Sequence, residues 1–177
     1  MRAVWRIAEG GPGATRIRLA RLAPHPASLM LGGMQPNIEA LTPDEQRVLD
    51  EQFAHADELV QSLTGKPLDG TLSDLVRLQR LLDTKTIEPE AEYTLTSLGV
   101  AFGRVLTRNH PDYQWWITED EYGRDPVVRY KETSLLVFPS IMLLKRVESR
   151  SEFTVPGLYE EMLAQLEDLR LQYYADA

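Results

Sequence analysis

A chain of 177 residues, 43% hydrophobic and 26% charged, has enough apolar material for the core of one domain and does not have a disordered composition. The absence of cysteine excludes disulfides and thiolate metal sites. A formal net charge of −8 sets up a field that repels phosphate backbones and argues against nucleic acid as a partner.

The charge is unevenly spread. Residues 1–33 hold five arginines and a single acid, Glu9, for a net +4, which leaves −12 on residues 34–177. The Arg-rich start lacks the apolar run of ~7–15 residues of a secretory signal. No apolar stretch reaches the ~18–20 residues needed to cross a bilayer. These features set the expectation of a cytoplasmic protein. Within the N-terminal segment, Ala3 to Ala8 and Thr15 to Leu22 alternate in polarity around Gly10-Gly11-Pro12-Gly13, the pattern of a short hairpin. Pro24, Pro26, Gly32, Gly33 and Pro36 then form a linker-like stretch. Residues 1–33 therefore read as an Arg-rich arm or hairpin extension, dispensable for folding of the single domain 34–177.

Thr42-Pro43-Asp44-Glu45 is a helix start, with a threonine cap, a proline at the first helical position and a glutamate that completes a capping box. Val48, Leu49, Phe53, Ala56, Leu59, Val60 and Leu63 follow at helical spacing until Gly65 and Pro67. Thr71 and Asp74 are expected to open a second helix whose broad stripe of Leu72, Leu75, Val76, Leu78, Leu81 and Leu82 is largely buried. A third helix is predicted from about Ala91 to Thr107, with Leu95, Leu98, Phe102, Val105 and Leu106 inward. Gly99 and Gly103 lie beside that stripe. Each costs roughly 1 kcal/mol against alanine in a helix, a cost that close packing against a sheet can offset.

The period then changes from 3.6 to 2. Tyr113, Trp115 and Ile117 alternate with Gln114, Trp116 and Thr118, so the two tryptophans face opposite ways. Glu119 to Asp125 is expected to be a turn, followed by strands from Pro126 to Lys131 and from Leu135 to Phe138. Short connections favour an antiparallel meander. A short element from Ile141 to Val147 and a last helix from about Gly157 to Tyr173 complete the chain, the latter with Tyr159, Met162, Leu163, Leu166 and Leu169 inward. The expected fold class is α+β: a three-stranded antiparallel meander, which an N-terminal hairpin can extend, packed against four to five helices.

One ordered set of residues carries an identity. It runs Leu98-Gly99-x-Ala101-Phe102-Gly103, then Trp115-Trp116-x3-Asp120-x2-Gly123-x2-Pro126-x2-Arg129, then Val137-Phe138-Pro139-x2-Met142-x2-Lys145-Arg146-x-Glu148. This set resembles the bacterial domain of unknown function 3806 over about residues 88–169, with 34–87 as a helical N-terminal part. The resemblance implies a domain boundary and an arginine at position 129, and no established activity.

The catalytic inventory is thin. The chain has no Gly-x-Ser-x-Gly elbow, no His-Glu-x-x-His helix and no phosphate-cradling Walker loop. His25, His55 and His110 are scattered, with His55 expected on the outer face of the first helix, and no metal or cofactor is expected. The strongest polar cluster is Glu119, Asp120 and Glu121 with Asp125, expected at a hairpin tip. Arg129 is expected to pair across the meander with an acid such as Glu119. Lys145-Arg146 reads either as a salt-bridged support or as an anion site.

The preferred reading is a non-enzymatic acidic binding protein with a basic protein partner; an immunity protein that neutralises a toxin is one such type. Its binding residues are expected to be Trp116, Glu119, Asp120, Glu121, Arg124, Asp125 and Arg129, where an exposed tryptophan beside acids makes an interface anchor. Two other readings stay open: a carboxylate–arginine enzyme using Asp120, Glu119 and Arg129, and a homo-oligomeric assembly module.

Overall fold

The computed structural model describes residues 21–22, 37–120 and 123–175. Of the expected N-terminal hairpin, only the two-residue strand β1 (Arg21–Leu22) is among them; the rest of that reading lies outside the described residues. The described elements that follow are β2 (Asn37–Glu39), α1 (Pro43–Thr64), α2 (Ser73–Asp83), α3 (Glu92–Asn109), β3 (Tyr113–Asp120), β4 (Gly123–Tyr130), β5 (Leu135–Val137), α4 (Pro139–Glu148) and α5 (Val155–Tyr173). The fold is α+β.

The expected meander β3-β4-β5 is the middle of a wider antiparallel sheet. β2 pairs with the free side of β3, and β1 pairs with the free side of β5, giving the order β1-β5-β4-β3-β2. β1 and β2 thus add one strand at each edge of the meander. β2 escapes sequence patterning because it is three residues long with one apolar side chain, Ile38.

α1 forms as its sequence dictates. The Thr42 hydroxyl accepts from the Glu45 amide at 3.3 Å, the Thr42 amide donates to Glu45 Oε2 at 2.9 Å, and Gly65 ends the helix at φ +71°. α2 starts differently from expectation. Thr71 does not cap it. Instead the Asp74 carboxylate, 1% exposed, turns back to accept from the Asp69 and Gly70 amides at 2.9 and 2.6 Å and is paired with Arg77. A buried acid satisfied by two amides and a guanidinium clamps the loop that joins α1 to α2. The apolar stripe of α2 is narrower than expected: Leu75, Leu78 and Leu81 are buried, whereas Leu72 and Val76 are 54% and 48% exposed. Val48 and Leu63 on α1 are exposed for the same reason: each lies on the flank of the buried stripe.

α3 is the central helix. It packs against α1, α2, α4 and β3, and Leu95, Leu98, Phe102, Val105 and Leu106 are fully enclosed, as their spacing requires. Burying one such side chain stabilises by roughly 1.5–3 kcal/mol. Its glycines serve two contacts. A Cβ at Gly103 would strike Trp115, so this glycine lets α3 meet the sheet; a Cβ at Gly99 would strike the backbone of Pro139 and Ser140, so that one admits the first turn of α4. The helices share a core with Tyr113, Val128, Tyr130, Leu135 and Val137, which define one face of the sheet. Gln114, Trp116, Thr118, Val127, Arg129 and Leu136 point to the other face, where Thr118, Val127 and Leu136 are also buried.

Candidate functional site

The β3–β4 hairpin holds every residue expected to bind a partner, yet it is not the loose acidic tip that the sequence suggests. The ladder continues through Thr118 opposite Asp125 and Glu119 opposite Arg124 to Asp120 opposite Gly123. The expected seven-residue turn is therefore mostly strand. Strand geometry then splits the cluster, because successive side chains point to opposite faces.

Glu119 and Arg124 fall on the helix-bearing face. The Arg124 guanidinium bonds Glu119 at 2.7 Å, Glu39 of β2 at 3.1 Å and Glu45 of α1 at 2.9 Å. Three carboxylates thus share one arginine, which ties the hairpin to the edge strand and to the first turn of α1. The Glu45 carboxyl is held down to about 2, first by the Thr42 amide and then by Arg124. These contacts raise Arg124 above the usual arginine range, led by its bond to Glu45.

Trp116 and Arg129 fall on the other face. Arg129 lies over the Trp116 ring, 4.5 Å from its centroid. Its guanidinium is fixed by the Thr133 carbonyl at 2.6 Å and the Glu132 carbonyl at 2.5 Å. The expected Arg129–Glu119 pair is therefore not formed. The two residues point to opposite faces and are ladder rows apart, since Arg129 stands opposite Gln114. This also separates the arginine from the carboxylate that the enzyme reading needs to converge. Asp125 lies opposite Thr118, on the Trp116 side, and is engaged in an interaction of its own. Glu121 and the side chain of Asp120 lie outside what the structure describes.

Away from the hairpin, His55 does not face outward as expected. Its Nε2 meets Thr94 Oγ1 at 3.3 Å, and its ring packs on Tyr93, joining α1 to α3. His110 follows the C-terminus of α3 between Tyr113 and Tyr159. Among the described residues no three His, Asp or Glu side chains converge as metal ligands. An open groove at the start of α3 is lined by Glu90, Ala91, Glu92, Tyr93, Thr94 and Thr96, none of them from the hairpin. Among the described residues no helix is long and apolar enough to cross a membrane.

Residues 74–159 match the family model described as domain of unknown function (DUF3806). This segment is a member of that family. The domain of unknown function 3806 so defined begins at Asp74 in α2 and ends at Tyr159 in α5. It therefore takes in α2, earlier than the start at about residue 88 that the motifs suggest. α1, β2 and most of α5 lie outside it, so Arg124 of the domain is bonded to two glutamates from the segment before it. A crystal structure from Bacteroides thetaiotaomicron is similar in fold, with a TM-score of 0.68 at 16% identity over 76% of this chain and 49% of the other. The chain spans about half the length of that neighbour. No curated protein matches the chain.

Proposed function

We propose that this is a non-enzymatic acidic binding protein of the cytoplasm whose β3–β4 hairpin receives a basic protein partner. An immunity-type protein, which covers the working surface of a toxin, is one form of this function. The observation that carries the reading is the sharing of Arg124 by Glu39, Glu45 and Glu119, three carboxylates against one guanidinium. The cluster retains net negative charge on a chain already at −8, and its side chains are held in place by one another. A lysine or arginine from a partner can share these carboxylates without reorganising them, and the field of the chain steers it inward. On the opposite face of the same hairpin, the stacked Trp116–Arg129 pair supplies the residue types that dominate interface energetics. The same field disfavours nucleic acid.

The test is co-purification with the protein as bait, run beside Glu39→Gln/Glu119→Gln and Trp116→Ala variants, with association rates then measured against ionic strength. The reading expects a partner of net positive charge. That partner should associate faster at low salt and be retained less by both variants. A partner held equally by all three proteins, with one common salt slope, would remove the hairpin from the interface. Light scattering on the pure protein distinguishes this reading from self-assembly, which would show a stable oligomer with no partner present.

A further inference from the structure

Arg146 is in the last turn of α4 and is 8% exposed. It follows Met142 by four residues and Leu143 by three, and so lies on the face of the helix that both bury in the core. Its neighbour Lys145 is paired with Glu148 at 2.8 Å. Among the described residues, no carboxylate or carbonyl accepts a hydrogen bond from the Arg146 guanidinium. The carbonyls at this helix end are taken: those of Lys145, Arg146 and Val147 accept from the amides of Ser149, Ser151 and Arg150. Glu161 of α5 attracts Arg146 through space without an ion pair. Among the described residues, the buried side-chain atoms that lack a partner are Thr118 Oγ1 and Tyr159 OH, so the Arg146 nitrogens keep contact with solvent.

A guanidinium nine-tenths buried without an ion-paired carboxylate is held at a cost to the free protein, even where its nitrogens reach solvent. The arrangement is that of a cation whose partner comes from outside. We propose that Arg146 anchors a binding site for a carboxylate group at the end of α4. The planar guanidinium matches two oxygens of one carboxylate or phosphate. Glu161 selects between them, because its charge opposes a phosphate dianion more strongly than a carboxylate monoanion. The site is separate from the hairpin and stands whether or not the hairpin binds a partner.

The test replaces chloride by acetate at constant ionic strength and follows the thermal midpoint of the full chain. Wild type should gain more stability with acetate concentration than Arg146→Met does, the difference being bound acetate over the general salt effect that both proteins share. In chloride, Arg146→Met should be at least as stable as wild type. Equal acetate shifts in the two proteins, or none in wild type, would overturn the proposal. An excess of wild type over Arg146→Met that is larger in phosphate than in acetate would overturn the carboxylate assignment. Glu161→Gln keeps Arg146 and decides the matter should Arg146→Met fail to fold. Its affinity for acetate, measured by NMR titration, should be about fivefold tighter than wild type. An unchanged or weaker affinity would overturn the proposal.

Discussion

Gly103 lies against Trp115 so closely that a Cβ on the glycine would come within 2.6 Å of the indole ring. Gly99, one helical turn earlier, is enclosed by backbone: its Cβ would come within 2.7 Å of Ser140 Cα. The two positions should therefore respond differently. An indole edge can shift, whereas the first turn of α4 cannot move without disturbing the strand before it. Gly99→Ala is expected to cost about 3 kcal/mol and Gly103→Ala about 1 kcal/mol, while Gly103→Leu should exceed Gly103→Ala severalfold. Denaturant melts of the three variants check this. A loss under ~0.5 kcal/mol for Gly103→Leu would mean that α3 does not approach the sheet there.

The Tyr159 hydroxyl is buried without a hydrogen-bond partner, and burial pushes its pKa up to about 12. Its ring does useful work edge-on to Phe102, 5.6 Å between centroids. Tyr159→Phe keeps the ring and removes the orphaned group. It is expected to stabilise by about 1 kcal/mol, a rise of roughly 2–4 °C in thermal midpoint. Thr118→Val tests the same logic on the opposite face of the sheet, where Oγ1 also lacks a partner. Destabilisation by Tyr159→Phe would show that the hydroxyl is hydrogen-bonded in solution.

What was legible in the sequence follows the range of the forces involved. α1 is bounded by a capping box and a C-terminal glycine that span a few residues, and α3 by a stripe of five enclosed side chains, so local reading recovers both. The switch to period 2 places the meander for the same reason. The start of α2 was not legible, because Asp74 bonds backward to the amides of a folded loop and so depends on tertiary packing. Nor was the length of the hairpin, since a run of acids reads as a turn until Arg124 takes up Glu119. The partners of Arg124 were out of reach: Glu45 and Glu39 are 79 and 85 positions away. Trp116 facing away from Trp115 was readable, but its stacking on Arg129 needed the register.

The domain boundary is testable by truncation. Residues 34–177 are expected to fold without residues 1–33, yet β1 pairs with β5 through Arg21–Leu136 and Leu22–Leu135. A chain beginning at Met34 loses that pairing and leaves β5 as an edge strand, short at three residues and apolar. The expected outcome is a soluble protein with one cooperative melt at a lower midpoint than the full chain. Aggregation, or a non-cooperative melt, would mean that the sheet does not hold without β1 and would move the boundary upstream.

The Arg124 network predicts a specific acid response. The Glu45 carboxyl titrates at about 2 in the folded protein against 4.5 as its ordinary value, so the folded state binds fewer protons than the unfolded state between these values. Its stabilising contribution is complete above about pH 4.5 and is lost as pH falls towards 2. Glu45→Gln should remove this part of the pH dependence and flatten the stability profile over that window, with its deficit largest above it. Arg124→Gln should act in the same direction but less completely, because the Thr42 amide, the largest influence on Glu45, remains. Denaturant midpoints at pH steps from 2 to 7 read the effect. Parallel profiles for wild type and Glu45→Gln across the acid window would mean that Glu45 is not held by Arg124 and Thr42 in solution. The hairpin would then lack its tie to α1, and the carboxylates that the binding proposal uses would not be held together.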